Sequence, residues 1–180
     1  RWGLMRNALP ENIQEHSHMV AVLAHALGVI RRDIFHQPCD VNALATAALY
    51  HDASEILTGD LPTPIKYHNA EIMSAYHAVE DLAVQKLLGM LPPELRGTYA
   101  DVLAEDKDGD IYPLVKAADK LSAYIKCIEE RKAGNNEFLS AEAQTRAALE
   151  ASPLPEVQYF LEHFIPAFER DLDELGAIGQ

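Results

Sequence analysis

His51 and Asp52 are adjacent, and an imidazole beside a carboxylate offers a divalent ion one nitrogen and one oxygen donor. An isolated His-Asp pair carries little weight, but two further donors lie within reach of it. His16 opens a long apolar-periodic segment upstream, and Asp119 lies inside another downstream. Two imidazoles and two carboxylates from three helical segments form a mixed nitrogen/oxygen site for a divalent transition metal, compatible with Mn, Fe, Co or Zn. Such a site activates water for hydrolysis. Glu55 stands four residues past His51 and shares its helical face if the turn continues.

The segments that must carry these donors all read as helices. From His16, the positions Val20, Leu23, Leu27, Ile30 and Ile34 recur at helical spacing and predict one apolar stripe with His16 on it. His18 and His25 fall on the opposite, solvated face. Asp40 is the expected N-cap of a second helix that carries Val41, Leu44, Ala47 and Ala48 toward His51. Leu57 to Lys66, with Gly59, Pro62 and Pro64, is expected to be a loop without regular structure. Asn69 caps a long helix to about Met90, and Pro92-Pro93-Glu94 starts a shorter one to about Ala104. Asp106 to Asp110 is a polar loop, followed by a helix from Ile111 to Ala133 that stops at Gly134 and the Asn135-Asn136 pair. Two more helices are expected over Glu137–Ala151 and Pro155–Leu175, the last kinked at Pro166. No strand alternation or internal repeat is visible. The expected fold is all-α, one compact bundle and one domain over residues 1–180.

Taken singly, each donor has an ordinary explanation. His16 fits a core histidine bonded to a carbonyl, Asp52 a helix-end carboxylate closing a turn, and Asp119 a partner for a neighbouring lysine. Together on a Val/Leu/Ala-rich core they favour a metal, because unpaired carboxylates there would be costly. Asp106-Lys107-Asp108-Gly109-Asp110 is weaker: its glycine is misplaced for a calcium loop and no bidentate glutamate follows. His36, His68, His77 and His163 lack partners at ligand spacing and read as surface residues, and Met19 and Met73 as core filler.

Composition narrows the function. Lys+Arg 15 against Asp+Glu 28 gives a net charge of −13, which repels a nucleic-acid backbone but leaves room for a small anion beside a metal and an arginine. Cys39 and Cys127 are too few for a disulfide framework, and no apolar run approaches a membrane span. A reduced, cytoplasmic, soluble protein is the expectation. The chain starts at Arg1 rather than Met, so preceding residues are expected in the natural protein.

The pattern His16 … His51-Asp52 … Asp119 resembles the HD-domain metal phosphohydrolases. Within them, Arg1-Trp2-Gly-Leu-Met-Arg6-Asn7, Glu11-Asn-Ile-Gln-Glu-His16-Ser17 and the run Tyr50-His-Asp-Ala-Ser-Glu55 through Asp60-Leu61-Pro62-Thr63-Pro64 are similar to the YfbR-type bacterial 5′-deoxynucleotidases. Lys116-Ala-Ala-Asp119 and Ala133-Gly-Asn-Asn-Glu137-Phe138 extend the match over essentially the whole chain. The resemblance implies hydrolysis of deoxyribonucleoside 5′-monophosphates, with one divalent ion, Co²⁺ or Mn²⁺ first, and Zn²⁺, Fe²⁺, Ni²⁺ or Cu²⁺ as alternatives. It implies His16, His51, Asp52 and Asp119 as metal ligands, and Glu55, Asp52 and Arg1 as catalytic groups. Arg1 would hold the phosphate beside His16, Asp52 and Asp119, and Trp2 would line the nucleoside end. Asp60 would accept a bond from the 3′-hydroxyl, with Leu61, Pro62 and Thr63 shaping the sugar pocket. A homodimer is also implied; Tyr159, Phe160, Phe164 and Phe168 could serve its interface or the core.

Two other readings compete. A deoxynucleoside triphosphate triphosphohydrolase needs more cations than Lys66, Lys116 and Lys120 supply near Asp60 and Asp119. A non-catalytic metal- or nucleotide-binding helical protein has no need of Glu55 one turn from a ligand, although acids supporting a ligand also occur in structural sites.

Overall fold

The computed structural model describes residues 1–66, 68–104, 109–171 and 173–174, with Thr63 described by its main chain alone. Residues 1–12 form an irregular strap that ends at a capping box: the Asn12 side chain accepts from the Glu15 N–H at 3.0 Å, and Glu15 accepts from the Asn12 N–H at 3.1 Å. That pair satisfies two donors that a helix start leaves open, and it begins α1 (Ile13–Val29). His16 therefore sits in the first turns of α1, with Val20, Leu23, Ala24 and Leu27 below it on the buried face.

From Ile30 to Ile34 the helix widens into a π turn. The wider turn shifts the phase of the stripe, so Ile34, expected inside, is 46% exposed. Phe35 takes the inward position and meets Tyr159 edge to face at 6.3 Å.

α2 (Val41–Tyr50) starts at Asp40, whose side chain accepts from the Ala43 N–H at 3.0 Å, and ends with His51 as its C-cap. It lies close on α1 because of Gly28: a Cβ there would stand 3.0 Å from Leu44 Cδ2 and 3.3 Å from Val41 Cγ2. This close approach brings the rings of His16 and His51 to 5.2 Å. Residues 51–54 continue as turns into α3 (Glu55–Thr58), and α4 (Thr63–Lys66) follows. The expectation of a stretch with no regular structure is thus corrected. Gly59, at φ 73, ends α3, and Pro62 and Pro64 are tolerated because a first helical turn needs no N–H donor from them.

α5 (Ala70–Gly89) is capped by Asn69 as expected; a 3₁₀ turn (Pro93–Leu95) then leads into α6 (Arg96–Leu103). Asp106 to Asp108 of the acidic run lie outside the described residues. α7 (Tyr112–Lys132) is the central helix, burying Leu114, Ala118, Leu121, Ile125 and Ile128 against α1, α2 and α8. Gly134, at φ 84, stops it, and a 3₁₀ turn (Asn136–Phe138) precedes α8 (Leu139–Glu150). The expected kinked last helix is two helices, α9 (Pro155–His163) and α10 (Ile165–Phe168), broken at Phe164; Pro166 lies in the first turn of α10, where it is tolerated. The expected end at Leu175 lies outside the described residues. Phe160 is buried in the core and Phe164 is 42% exposed.

Every regular element among the described residues is helical, and none is long and apolar enough to cross a membrane. Cys39 and Cys127 are free thiols. His18 and His25 are exposed as expected, whereas His77 is half-buried on α5 rather than at the surface.

Candidate functional site

Three helices bring four donors to one point. His16 Nε2, His51 Nε2 and an Asp119 carboxylate oxygen lie within 4.8 Å of one another. Asp52 Oδ2 stands 3.3 Å from His16 Nε2 and 3.2 Å from His51 Nε2, and Asp119 Oδ1 stands 3.2 Å from His16 Nε2. Both imidazole side chains are 1% exposed.

The orientation of each ring is set from its other nitrogen. His51 Nδ1 lies 2.7 Å from the Ala48 carbonyl, which can only accept, so Nδ1 carries the proton and Nε2 of the neutral ring has a free lone pair. His16 Nδ1 pairs with the buried Ser122 hydroxyl at 3.3 Å, from α7. Neither Nε2 has a hydrogen-bond partner of acceptable geometry although both are buried. A lone pair facing carboxylate oxygens is repulsive without a cation between them. Donors about 2.1 Å from an octahedral ion are separated by about 3.0 Å along its edges, close to the spacings found here. The residues fit a divalent metal.

The charges respond to this crowding. Burial raises the Asp52 carboxyl, but with no ion between them the imidazoles of His16 and His51, acting as proton donors, hold it far below the usual carboxylate range. Asp119 is lowered in the same way, against burial, chiefly by His16. His16 is raised because Asp119 and Asp52 outweigh its burial.

Glu55 behaves in the opposite sense. It is 7% exposed, its Oε2 has no partner, and burial together with the charges of Asp52 and Asp60 pushes it up to about 8. Its position follows from the tight turn after α2, closed by the Glu55 N–H donating to the Asp52 carbonyl at 3.0 Å.

Arg1 reaches the same point from the strap. Its guanidinium donates to Asp52 Oδ2 at 3.2 Å and lies 4.0 Å from Asp119 Oδ1. Glu11 holds it from behind, 3.4 Å from Nε, and also accepts from Trp2 Nε1 at 3.0 Å. Trp2 has φ 59, a conformation that bulky side chains rarely adopt. The bond to Glu11 and the Phe138 ring at 5.2 Å keep it there.

A cavity of about 830 Å³ opens next to this cluster, and of the four donors Asp119 lines it. Arg1 and Trp2 line one side, and Asp60, Pro62 and Pro64 a second. Asp119, Lys120 and Ala123 of α7 and Ala141, Gln144, Thr145 and Ala148 of α8 close it. The size suits a small organic ligand. Leu61 is half-buried and does not line this cavity, and the Thr63 side chain lies outside the described residues. A second depression of about 800 Å³, lined by Tyr124, Arg146, Glu150 and Glu169 among others, lies away from the metal-ligating cluster.

Sequence reasoning missed Glu11, Ser122 and the α8 wall. Ser122 was visible as a polar residue three positions after Asp119 on the buried face of α7. The α8 positions recur at helical spacing but are bland residue types that signal nothing alone.

The chain is similar to known proteins over nearly its whole length. A family model described as 5′-deoxynucleotidase YfbR-like matches residues 1–168. A 5′-deoxynucleotidase YfbR from Shigella boydii is 51% identical over 177 residues, covering 98% of this chain and 89% of that protein. One from Escherichia coli is 50% identical with the same coverage. The crystal structure of an HD-domain phosphohydrolase from Listeria innocua superposes with a TM-score of 0.82 at 26% identity, covering 93% of this chain and 82% of that one. A protein from Pyrococcus horikoshii, 22% identical with a TM-score of 0.65 over 93% of this chain and 86% of its own, shares the fold.

Proposed function

The chain belongs to the YfbR-like 5′-deoxynucleotidases and hydrolyses nucleoside monophosphates, and from that premise we propose how its residues divide the work. The observation that carries the reading is the pair of buried, unpartnered imidazole nitrogens facing two carboxylates at the edge of a ligand-sized cavity. His16, His51, Asp52 and Asp119 would hold one divalent ion, with Co²⁺ or Mn²⁺ favoured. When bound, that ion supplies an acidified water and neutralises charge on the phosphoryl group.

The chain's own groups do the rest. Arg1 binds the phosphate by charge-assisted hydrogen bonds, with Glu11 fixing its direction. Water oxygen bonds to phosphorus, the bond from phosphorus to the 5′ oxygen breaks, and that oxygen takes up a proton to give the deoxynucleoside and phosphate. Glu55 takes and returns the proton; a carboxyl raised to about 8 changes form near neutral pH, where such transfer is most effective. Trp2 walls the nucleoside end. Asp60, exposed at the rim, accepts from the 3′-hydroxyl, and Pro62 and Pro64 give a stiff wall against C2′ that disfavours a ribose hydroxyl.

Two cations, Arg1 and Lys120, line the cavity among the described residues, a supply that favours a monophosphate over a triphosphate. We place the whole of residues 1–180 in one HD-type domain, acting in the cytoplasm as a homodimer. Val79 and Leu82, three residues apart on α5 and 48% and 63% exposed, are apolar side chains that such an interface would cover, whereas Phe160 is core.

The test is phosphate release from dAMP, AMP and dATP by metal-stripped protein with Co²⁺ or Mn²⁺ restored. Phosphate from dAMP and hardly any from AMP is expected. Tripolyphosphate from dATP would replace the reading with triphosphohydrolysis, and no release from any substrate with metal bound would leave a non-catalytic binding role.

A further inference from the structure

The strap of residues 1–12 carries Arg1 and Trp2 into the cavity, yet it has no helix of its own to hold it. Within it the Met5 N–H donates to the Trp2 carbonyl at 2.9 Å, Asn7 Nδ2 to the Met5 carbonyl at 3.3 Å, and the Arg1 ammonium to the Glu11 carbonyl at 3.0 Å. Between them, residues 6–9 turn polar backbone groups onto the far end of α7 and the turn that follows it. The Ala8 and Leu9 N–H groups donate to the Glu130 carboxylate at 2.7 and 3.1 Å. Lys126 Nζ donates to the Leu9 carbonyl, and Asn135 Nδ2 to the Arg6 carbonyl at 2.6 Å. The Arg6 N–H donates to Glu137 at 3.1 Å.

Glu130 is the hub. It is fully buried, and besides the two amides it accepts from Lys126 Nζ at 2.6 Å and Asn135 Nδ2 at 2.8 Å. A buried ion pair adds little stability compared with apolar residues of the same shape, so stability alone is a poor reason for it. What an apolar replacement could not do is hold the Ala8 and Leu9 amides and the Leu9 carbonyl in one register.

The same helix serves the chemistry. Asp119, Ser122, Lys126 and Glu130 follow at spacings of three and four along one stripe of α7. Asp119 and Ser122 meet His16 at one end; Glu130 grips the strap about three turns, or roughly 16 Å, away.

We propose that Glu130, with Lys126 and Asn135, is a positioning clamp that ties residues 6–9 to α7 and so sets where Arg1 and Trp2 meet the substrate. The consequence for substrate affinity rests on the reading that Arg1 grips the phosphate. Glu130 itself touches no substrate and acts through the strap.

The experiment uses Glu130→Gln and the milder Asn135→Ala, each alone and combined with Arg1→Ala. KM and kcat are measured on dAMP with Co²⁺, and fluorescence on the metal-free proteins. Trp2 is the only tryptophan, so emission reports the strap directly. Glu130→Gln is expected to raise KM about 10-fold, with a smaller change in kcat, and to move Trp2 emission to longer wavelength. Helical content by circular dichroism should stay the same. In the Arg1→Ala background the further change in KM should be under about 2-fold, because the path to substrate is already cut.

Unchanged KM and emission in folded Glu130→Gln would overturn the clamp, as would fully multiplicative effects with Arg1→Ala. Should Glu130→Gln fail to fold, Asn135→Ala decides: a raised KM with shifted emission supports the clamp, and wild-type values of both overturn it. An unchanged KM for Arg1→Ala alone would refute the phosphate reading, and the Trp2 emission would then decide the clamp by itself.

Discussion

The floor and the rim of the cavity are built by opposite means. His16 lies in α1 and His51 caps α2, at a helix contact so close that a Cβ on Gly28 would crowd Leu44 at 3.0 Å, and both rings are held from behind. Asp60 lies exposed between two single-turn helices, just after a glycine at φ 73, and Trp2 lies on a strap without helix. On the proposed function, donors that must meet an ion within a few tenths of an ångström are placed on rigid elements, and groups that would choose a substrate on segments that can change without disturbing them. The rim is not loose, however. Tyr76 donates to the Gly59 carbonyl at 3.3 Å, Lys66 pairs with Glu80 at 2.9 Å, and the strap is bound to α7.

If that division is right, damage to the floor removes everything while damage to the rim changes selectivity. The largest effect is expected for His51→Ala, which should lose bound metal and reduce hydrolysis to background; elemental analysis alongside phosphate release checks both. Metal retained at wild-type stoichiometry with full turnover would break the comparison.

Next comes Glu55→Gln, expected to lower kcat by about 10²–10⁴-fold with metal content unchanged. A pH effect sharpens it. Glu55 titrates at about 8 in the fold against 4.5 for an unperturbed glutamate, so the fold favours its protonated form. Its contribution to stability is therefore complete below pH 4.5 and lost as pH rises to about 8. In metal-free protein, urea unfolding between pH 4.5 and 8 should show wild-type stability falling relative to Glu55→Gln. A constant difference across that window would remove the buried-acid assignment.

The smallest effect is expected at the rim. Asp60→Ala should leave metal content alone, weaken dAMP hydrolysis about 10-fold, and bring the dAMP and AMP rates closer together. The ratio of kcat/KM for the two substrates is the readout, and an unaltered ratio would show that Asp60 does not read the sugar.

Much of the floor was legible in the sequence because its signals are local. Asp40 and Asn69 fix helix starts by bonding to amides three residues on, and the periodicity from His16 to Leu27 gives the buried face directly. His51-Asp52 and Asp119 were recognisable because charged and imidazole groups on apolar helices demand a partner. The periodicity failed at Ile34, where a π turn breaks the 3.6-residue repeat without an obvious residue to mark it. The reading also failed between Leu57 and Lys66, where prolines suggested a plain loop, but Pro62 stands just before α4 and Pro64 in its first turn. The grip of Glu130 on Ala8 spans 122 residues and involves a backbone amide, which leaves no trace in residue types. The α8 wall of alanines, glutamine and threonine is equally silent.

The central claim is that His16, His51, Asp52 and Asp119 hold one divalent ion. Its most direct measurement is a calorimetric titration of Co²⁺ into metal-free wild type and Asp119→Ala, without substrate. One ion per chain is expected for the wild type, and binding lost or weakened beyond about 10-fold for the variant. Equal stoichiometry and affinity in the two proteins would contradict the claim and detach Asp119 from the metal.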